Sequence, residues 1–184
     1  SIIYLQNSEN RGLSHSRNKG IEKSKNKLLM FLDDDILLNK YSLFGANFNL
    51  TSLDKDVVAL QIPIYHRKTI PRLGKINEVG RLNVEKGLMS GNYDIFPIEY
   101  IKNWKNHFLN KDLKILTPFE IWNLSGVFLS KKEAIEKAGG FTESFNWKNA
   151  YRVETELALN FSEKGLKMFF SPDPKFASIH LKYG

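Results

Sequence analysis

Along the chain, five large apolar side chains follow one another without alternation from Leu28 to Leu32, and the run ends abruptly on Asp33, Asp34 and Asp35. An unbroken apolar run of this length predicts a strand buried on both faces of a sheet, with helices packed above and below. Ahead of it, "SIIYLQ" predicts a short strand, and "NSENRGLSHSRNKGIEKSK" a loop followed by a helix beginning near Ser14 or Ser16. A helix around 40–51 leads to a further strand, "VVALQIPIY", which Pro63 should push toward an edge or a bulge. Periodicity is weak over 66–117, where basic and glycine-containing loops dominate. It returns at "NLSGVFLSKKEAIEKAGGF", where Ser130 and Glu133 have capping-box spacing and Gly139 and Gly140 stop a short helix. Val153, Leu157 and Phe161 form one stripe of a helix over 151–164 that Gly165 ends, and "LKMFFS" and "KFASIHL" close the chain as strands. Strands alternating with helices predict one α/β domain spanning 1–184.

Composition narrows the partners more than the fold. The 184 residues are 42% hydrophobic, enough for one domain with a real core. There is no cysteine, which excludes disulfides and thiolate metal sites, so oxygen or imidazole must hold any metal. Lysine and arginine outnumber aspartate and glutamate 27 to 20, and the net charge of +7 favours anionic partners such as nucleotides, phosphates or an acidic membrane surface. The basic residues are spread along the chain and not interleaved with exposed aromatics, so nucleic acid is not expected as a partner. No apolar run reaches the length of a membrane span, and "SIIYLQNSEN" has neither the basic start nor the cleavage site of a signal peptide. The expected location is therefore cytoplasmic, extending to the inner face of the membrane.

Three like charges at the end of a buried strand need a physical reason, because repulsion and desolvation both oppose them. The carboxyl end of a strand is where open α/β sheets place ligand crevices. On an extended backbone Asp33 and Asp35 point one way and Asp34 the other, so the outer pair can share a hard cation. A solvated acidic turn is the plainer reading. Glu154 and Glu156 in "RVETELALNF" sit at the start of a helix, where the dipole favours their ionised form whether or not they do chemistry. Arg17, just inside the first helix, suits phosphate held by side chain and backbone together, though a lone arginine is more often a surface residue.

Taken in order, four segments resemble the inverting glycosyltransferases of family 2, which have the GT-A fold. "NRGLSHSRNKGI" is similar to the family's Asn-x-Gly-x-Ser-x-Ala-Arg-Asn-x-Gly-Ile pattern, and "LLMFLDDDILL" to its metal-binding Asp-x-Asp segment. "NLSGVFLSKKEAIEKAGGFTESF" resembles the segment before the catalytic helix, with Thr142 in place of the usual aspartate. "VETELALNFSEKG" resembles the Glu-Asp-x-Asp-Leu helix, and Val153 and Glu154 stand where the family has Glu-Asp. The resemblance implies a Rossmann-like, mixed and mostly parallel sheet flanked by helices. It also implies that the sequence begins at the family's third strand, without the earlier strands that hold the nucleotide base.

The implied activity is metal-dependent transfer of a hexosyl group from a nucleotide-diphosphate sugar to a glycan or lipid-linked hydroxyl acceptor, with inversion, in polysaccharide or glycoconjugate biosynthesis. Glu154 takes the family's catalytic-base position, with a longer reach than aspartate. Mn²⁺ or Mg²⁺ falls to Asp33 and Asp35, diphosphate and nucleotide contacts to Arg17, Asp33 and Asp34. His180, near the end of the last strand, is a candidate further metal ligand. Trp122, Ser125, Gly126 and Glu156 are candidates for the sugar or acceptor subsite, and a core role for Trp122 stays open. A non-catalytic binding module of the same fold and a nucleotidyltransferase remain alternatives. With the earlier strands absent, the edge of Leu28–Leu32 is expected to be open to self-association.

Overall fold

The computed structural model describes residues 2–38, 40–66, 118–144, 153–171, 176 and 178–180. Four helices, α1 (Gly12–Lys23), α2 (Ser42–Ser52), α3 (Lys132–Lys137) and α4 (Val153–Glu163), accompany eight strands among these residues. The strands are β1 (Leu28–Phe31), β2 (Ile36–Leu38), β3 (Val57–Gln61), β4 (Ile64–His66), β5 (Phe119–Ile121), β6 (Phe128–Lys131), β7 (Lys167–Phe170) and β8 (Ser178–His180). A five-stranded sheet runs in the order β1-β6-β3-β7-β5, and a three-stranded one in the order β2-β8-β4.

The mixed α/β sheet is the one expected, but antiparallel pairings outnumber parallel ones among the described residues. Only β3–β7 and β4–β8 run parallel, because β6 inserts antiparallel between β1 and β3 and β5 flanks β7 antiparallel. Strand β3 occupies the centre, and all five of its residues are buried. Val58 and Ala59 join the core beneath α1, α3 and α4, whereas Val57 and Leu60 join a second core with Ala46 and Leu50 of α2. Helices on both faces thus explain why "VVAL" lacks alternation.

Strand β1 departs from its expected burial. It lies at the end of the sheet, only Phe31 of its four residues is fully buried, and the following Leu32 is 42% exposed. The expected strand at "SIIYLQ" does not form: residues 2–7 carry no regular structure, and Ile2 is 99% exposed. Residues 2–7 pair with no strand among the described residues, and an unpaired apolar segment gains too little to order as sheet. The expected capping box is also absent. Ser130 belongs to β6 and donates its hydroxyl to the Val58 carbonyl at 3.0 Å, and Lys131 stands at the N-terminus of α3 without a side-chain cap. Gly139 and Gly140 do stop α3, with φ of 93° and 75°. The apolar stripe of α4 is buried at Val153, Leu157 and Phe161.

Pro63 ends β3 and hands the chain to β4 in the smaller sheet. Lacking an N–H, it offers only its carbonyl, which accepts from the Ser178 amide at 2.8 Å and its hydroxyl at 3.1 Å. The large sheet therefore places the ends of β1 and β3, the 122–127 loop and the start of α4 around one region.

Candidate active site

Arg17 is the hub of this region. Its position in α1 directs the side chain inward, where it is 8% exposed and its guanidinium lies 5.2 Å from the ring centre of Phe141 and 5.9 Å from that of Phe31. Phe31 in turn stacks on Phe128 at 4.8 Å and meets Phe141 edge-on at 5.3 Å, so the aromatic floor under the cation is part of the core. Arg17 Nη1 donates to Glu154 Oε1 at 2.5 Å, and Nη2 donates to Asp33 Oδ1 at 3.3 Å. Three residues from three separate sequence motifs are thereby brought into one cluster. Glu154 lies in the first turn of α4 and its side chain is 14% exposed; Asp33, just past β1, is 41% exposed. The planar fork of an arginine suits bridging two carboxylates, and it suits a diphosphate for the same reason.

The aspartate run is a turn and not an extended segment: the Ile36 amide donates to the Asp33 carbonyl at 3.2 Å. The alternation argued from an extended backbone therefore does not apply. Burial still separates them in the expected sense, with Asp33 and Asp35 half-buried and Asp34 exposed. The turn feeds β2, whose Ile36 is paired with His180 of β8. The register thus sets the His180 backbone one residue from Asp35. Among the described residues no three histidine or acidic side chains are gathered into a metal-binding group. Two half-buried carboxylates on one turn are donors of the kind that would suit a hard divalent cation, which would need further oxygen ligands from elsewhere.

Glu156 is differently employed. Its Oε1 accepts from the Thr142 hydroxyl and from Asn160 Nδ2, and its Oε2 accepts from the Thr142 amide at 3.3 Å. Thr142, the departure from the family pattern, thus uses Glu156 to tie the segment after α3 onto α4. This favours a structural role over the expected subsite contact. Nearby, Asn18 makes a two-way bond with the Phe141 backbone, donating to its carbonyl at 2.7 Å and accepting from its amide at 2.9 Å. At Gly140, a Cβ would come within 2.9 Å of Asn18 Oδ1 and the φ is positive, so both space and conformation demand glycine. Asn18 and Phe141 hold the floor under Arg17, a role that spacing alone did not reveal. Glu143 takes hydrogen bonds from His15 at 3.0 Å and from Asn18 at 3.3 Å, and these hold its carboxyl below the usual carboxylate value.

The remaining wall is the loop from Trp122 to Val127. Trp122 is 40% exposed, which places it at the surface and not in the core. Ser125 and Gly126 are half-buried. A Cβ at Gly126 would lie 2.5 Å from Asp33 Oδ2, so the loop passes close beside the aspartate and any larger residue there would have to shift its carboxylate. Gln61, wholly buried at the end of β3, holds the loop from behind, and no sequence pattern singled it out.

A strand-end acidic turn, a buried arginine and a helix-borne glutamate thus meet on a mixed sheet flanked by helices. The model of the glycosyl transferase family 2 matches residues 1–137, and the chain belongs to that family. Among solved structures it is similar to GalNAc-T7, crystallised with UDP, GalNAc and Mn²⁺, at 14% identity and a TM-score of 0.64. That superposition covers 97% of this chain and 32% of the other, so the chain spans about a third of that neighbour's length. No curated protein matches the sequence.

Proposed function

We propose that this domain transfers a sugar from a nucleoside-diphosphate sugar to a hydroxyl acceptor with inversion at the anomeric carbon. The observation that carries the reading is the bridge from Arg17 to Glu154 and Asp33. It joins a phosphate-suited cation, a helix-borne carboxylate and the acidic strand end within one partly buried cluster. In the reaction, the acceptor oxygen bonds to the anomeric carbon while the bond from that carbon to the diphosphate oxygen breaks, and its electron pair leaves with the diphosphate. Glu154 receives the acceptor's proton as general base. Arg17 exchanges its carboxylate partners for diphosphate oxygens, which stabilises the departing charge and releases Glu154 toward the acceptor.

Asp33 and Asp35, with His180 brought alongside by β8, are the residues that would hold Mn²⁺ or Mg²⁺, which supplies further neutralisation of the diphosphate. On this reading the exposed Asp34 meets the nucleotide, and Trp122, Ser125 and Gly126 form the sugar subsite, where an indole face would stack on sugar C–H groups. The acceptor on this reading is a glycan or lipid-linked hydroxyl in polysaccharide or glycoconjugate biosynthesis at the cytoplasmic face of a membrane. No helix among the described residues is long and apolar enough to cross a membrane. Peripheral contact is the corresponding mode, supported by the exposed Phe44 and Phe48 of α2 and by the net charge of +7. Self-association through β1 is supported by its place at the sheet edge.

The test is turnover of a panel of nucleotide sugars by the parent and by Glu154→Gln. Removing the proton acceptor while keeping its size should lower turnover by about two to four orders of magnitude, with donor affinity little changed. Equal turnover would remove Glu154 from the chemistry.

A further inference from the structure

Gln61 breaks the composition of its own strand. Val57, Val58, Ala59 and Leu60 are apolar and buried, and a leucine or methionine would continue them; instead a wholly buried carboxamide ends β3. Burying an amide is unfavourable unless its polar atoms are satisfied. Here both ends of the carboxamide go to one residue. Oε1 accepts from the Ser125 amide at 2.8 Å, and Nε2 donates to Ser125 Oγ at 2.6 Å. The strand end is itself fixed, because the Gln61 carbonyl accepts from the Ser171 amide at 2.9 Å.

The second bond has a directional consequence. An amide N–H can only donate, so Ser125 Oγ receives that hydrogen bond and keeps its own hydrogen for another acceptor. Ser125 is half-buried, and the next residue, Gly126, lies against Asp33 Oδ2. The hydroxyl therefore keeps a hydrogen to donate, on a loop that passes the acidic strand end.

We propose that Gln61 is a positioning residue for glycosyl transfer: it locks the 122–126 loop and turns the Ser125 hydroxyl into a fixed hydrogen-bond donor to the sugar of the donor substrate. This rests on the transferase reading above and deepens it, since that reading names the subsite but not what orients it.

The test compares affinity for the nucleotide sugar that the parent binds best, from a panel of UDP-, GDP- and dTDP-sugars, with affinity for the matching bare nucleoside diphosphate. Calorimetry with Mn²⁺ present measures both. Ser125→Ala and Gln61→Met should each reduce the sugar-dependent gain in affinity by about three- to tenfold, the loss of one neutral hydrogen bond, and leave the bare diphosphate unaffected. The double variant should be no worse than Ser125→Ala alone, because Gln61 acts through that hydroxyl. Gln61→Glu adds a readout that a purely structural role would not move. A carboxylate can still accept from the Ser125 amide and so keeps the loop in place, but it also captures the Ser125 O–H and reverses its direction. Its sugar-dependent affinity should fall at least as far as that of Gln61→Met, with folding checked by circular dichroism and thermal melting. Gln61 variants with the parent's affinity ratio, or losses that multiply in the double variant, would overturn the inference alone. A parent that binds no nucleotide sugar would overturn the transferase reading and this inference with it.

Discussion

Replacing Arg17 by methionine keeps much of the side-chain volume and removes the cation that Glu154 and Asp33 share. Glu154 is the more costly loss. Its side chain is 14% exposed, so the variant leaves a nearly buried carboxylate without its 2.5 Å partner, whereas Asp33 at 41% exposure recovers water. Breaking a fully buried pair costs about 3–5 kcal/mol, and the solvent around Asp33 reduces its share of that. Loss of the cation's contact with the Phe141 and Phe31 rings adds about 0.5–1 kcal/mol, giving about 3 kcal/mol in all. For a domain of this size each kcal/mol moves the melting temperature by about 2–4 °C, so Arg17→Met should melt about 6–12 °C below the parent. Glu154→Gln, which leaves Arg17 its bond to Asp33, should cost about 1.5–3 kcal/mol, the value of a charge-assisted hydrogen bond. The double variant decides the matter, because with a neutral amide opposite methionine the only carboxylate that has lost the cation is Asp33, which water reaches. Its cost should fall short of the sum by at least about 1 kcal/mol, measured by urea denaturation. Additivity within about 0.5 kcal/mol, or an Arg17→Met melting point within about 2 °C of the parent, would refute the cluster as an energetically coupled unit.

Gly126→Ala should displace the Asp33 carboxylate, because the new Cβ would meet Oδ2 at 2.5 Å; that side chain is 41% exposed and can give way, so we expect weaker Mn²⁺-dependent nucleotide binding by calorimetry with little change in stability. Gly20→Ala, inside α1 with nothing within 4 Å of the added Cβ, is the control and should stabilise by about 0.5–1 kcal/mol in the same denaturation assay. Asp35→Asn should abolish Mn²⁺-dependent nucleotide binding while the exposed Asp34→Asn does less; equal binding by the Asp35 variant and the parent would remove Asp35 from the metal site. Glu143, whose carboxyl is held down first by the His15 hydrogen bond and then by that from Asn18, gives stability that is fully present above its ordinary value near 4.5 and is lost as pH falls through its lower folded value. The melting-temperature gap between the parent and Glu143→Gln should therefore hold at neutral pH and close on acidification; a gap that widens in acid would reverse the sign.

Sequence patterns located the candidate site better than they described its surroundings. Arg17, Asp33 and Glu154 were each legible as members of a motif, and the fold brings their side chains together, because residue identities at fixed spacing survive whatever the sheet does around them. Pairing is a different matter. The run Leu28 to Leu32 has the composition of a central strand, yet β1 lies at the edge, since apolarity cannot specify how many neighbours a strand acquires. Ser130 had the spacing of a cap, but β6 needed that residue for its ladder and sent the hydroxyl to Val58. The short β5, Phe119–Ile121, gave too few residues for alternation to register. Gln61 was invisible for the opposite reason: one polar residue at a strand's end looks like the start of a loop until its partner, 64 positions away, is known. Residues 67–117, which include nearly all of the segment with the weakest pattern, lie outside the described residues.

In the proposed reaction Glu154 and Arg17 serve a single in-line displacement at an anomeric carbon. Proton NMR of the product formed from an α-linked nucleotide sugar and a hydroxyl acceptor tests it most directly, because the anomeric coupling constant reports the stereochemistry at the reacting atom. The parent should yield the β-linked product, and Glu154→Gln essentially none over the same period. An α-linked product, or a β-linked product formed equally well without the Glu154 carboxylate, would contradict the account.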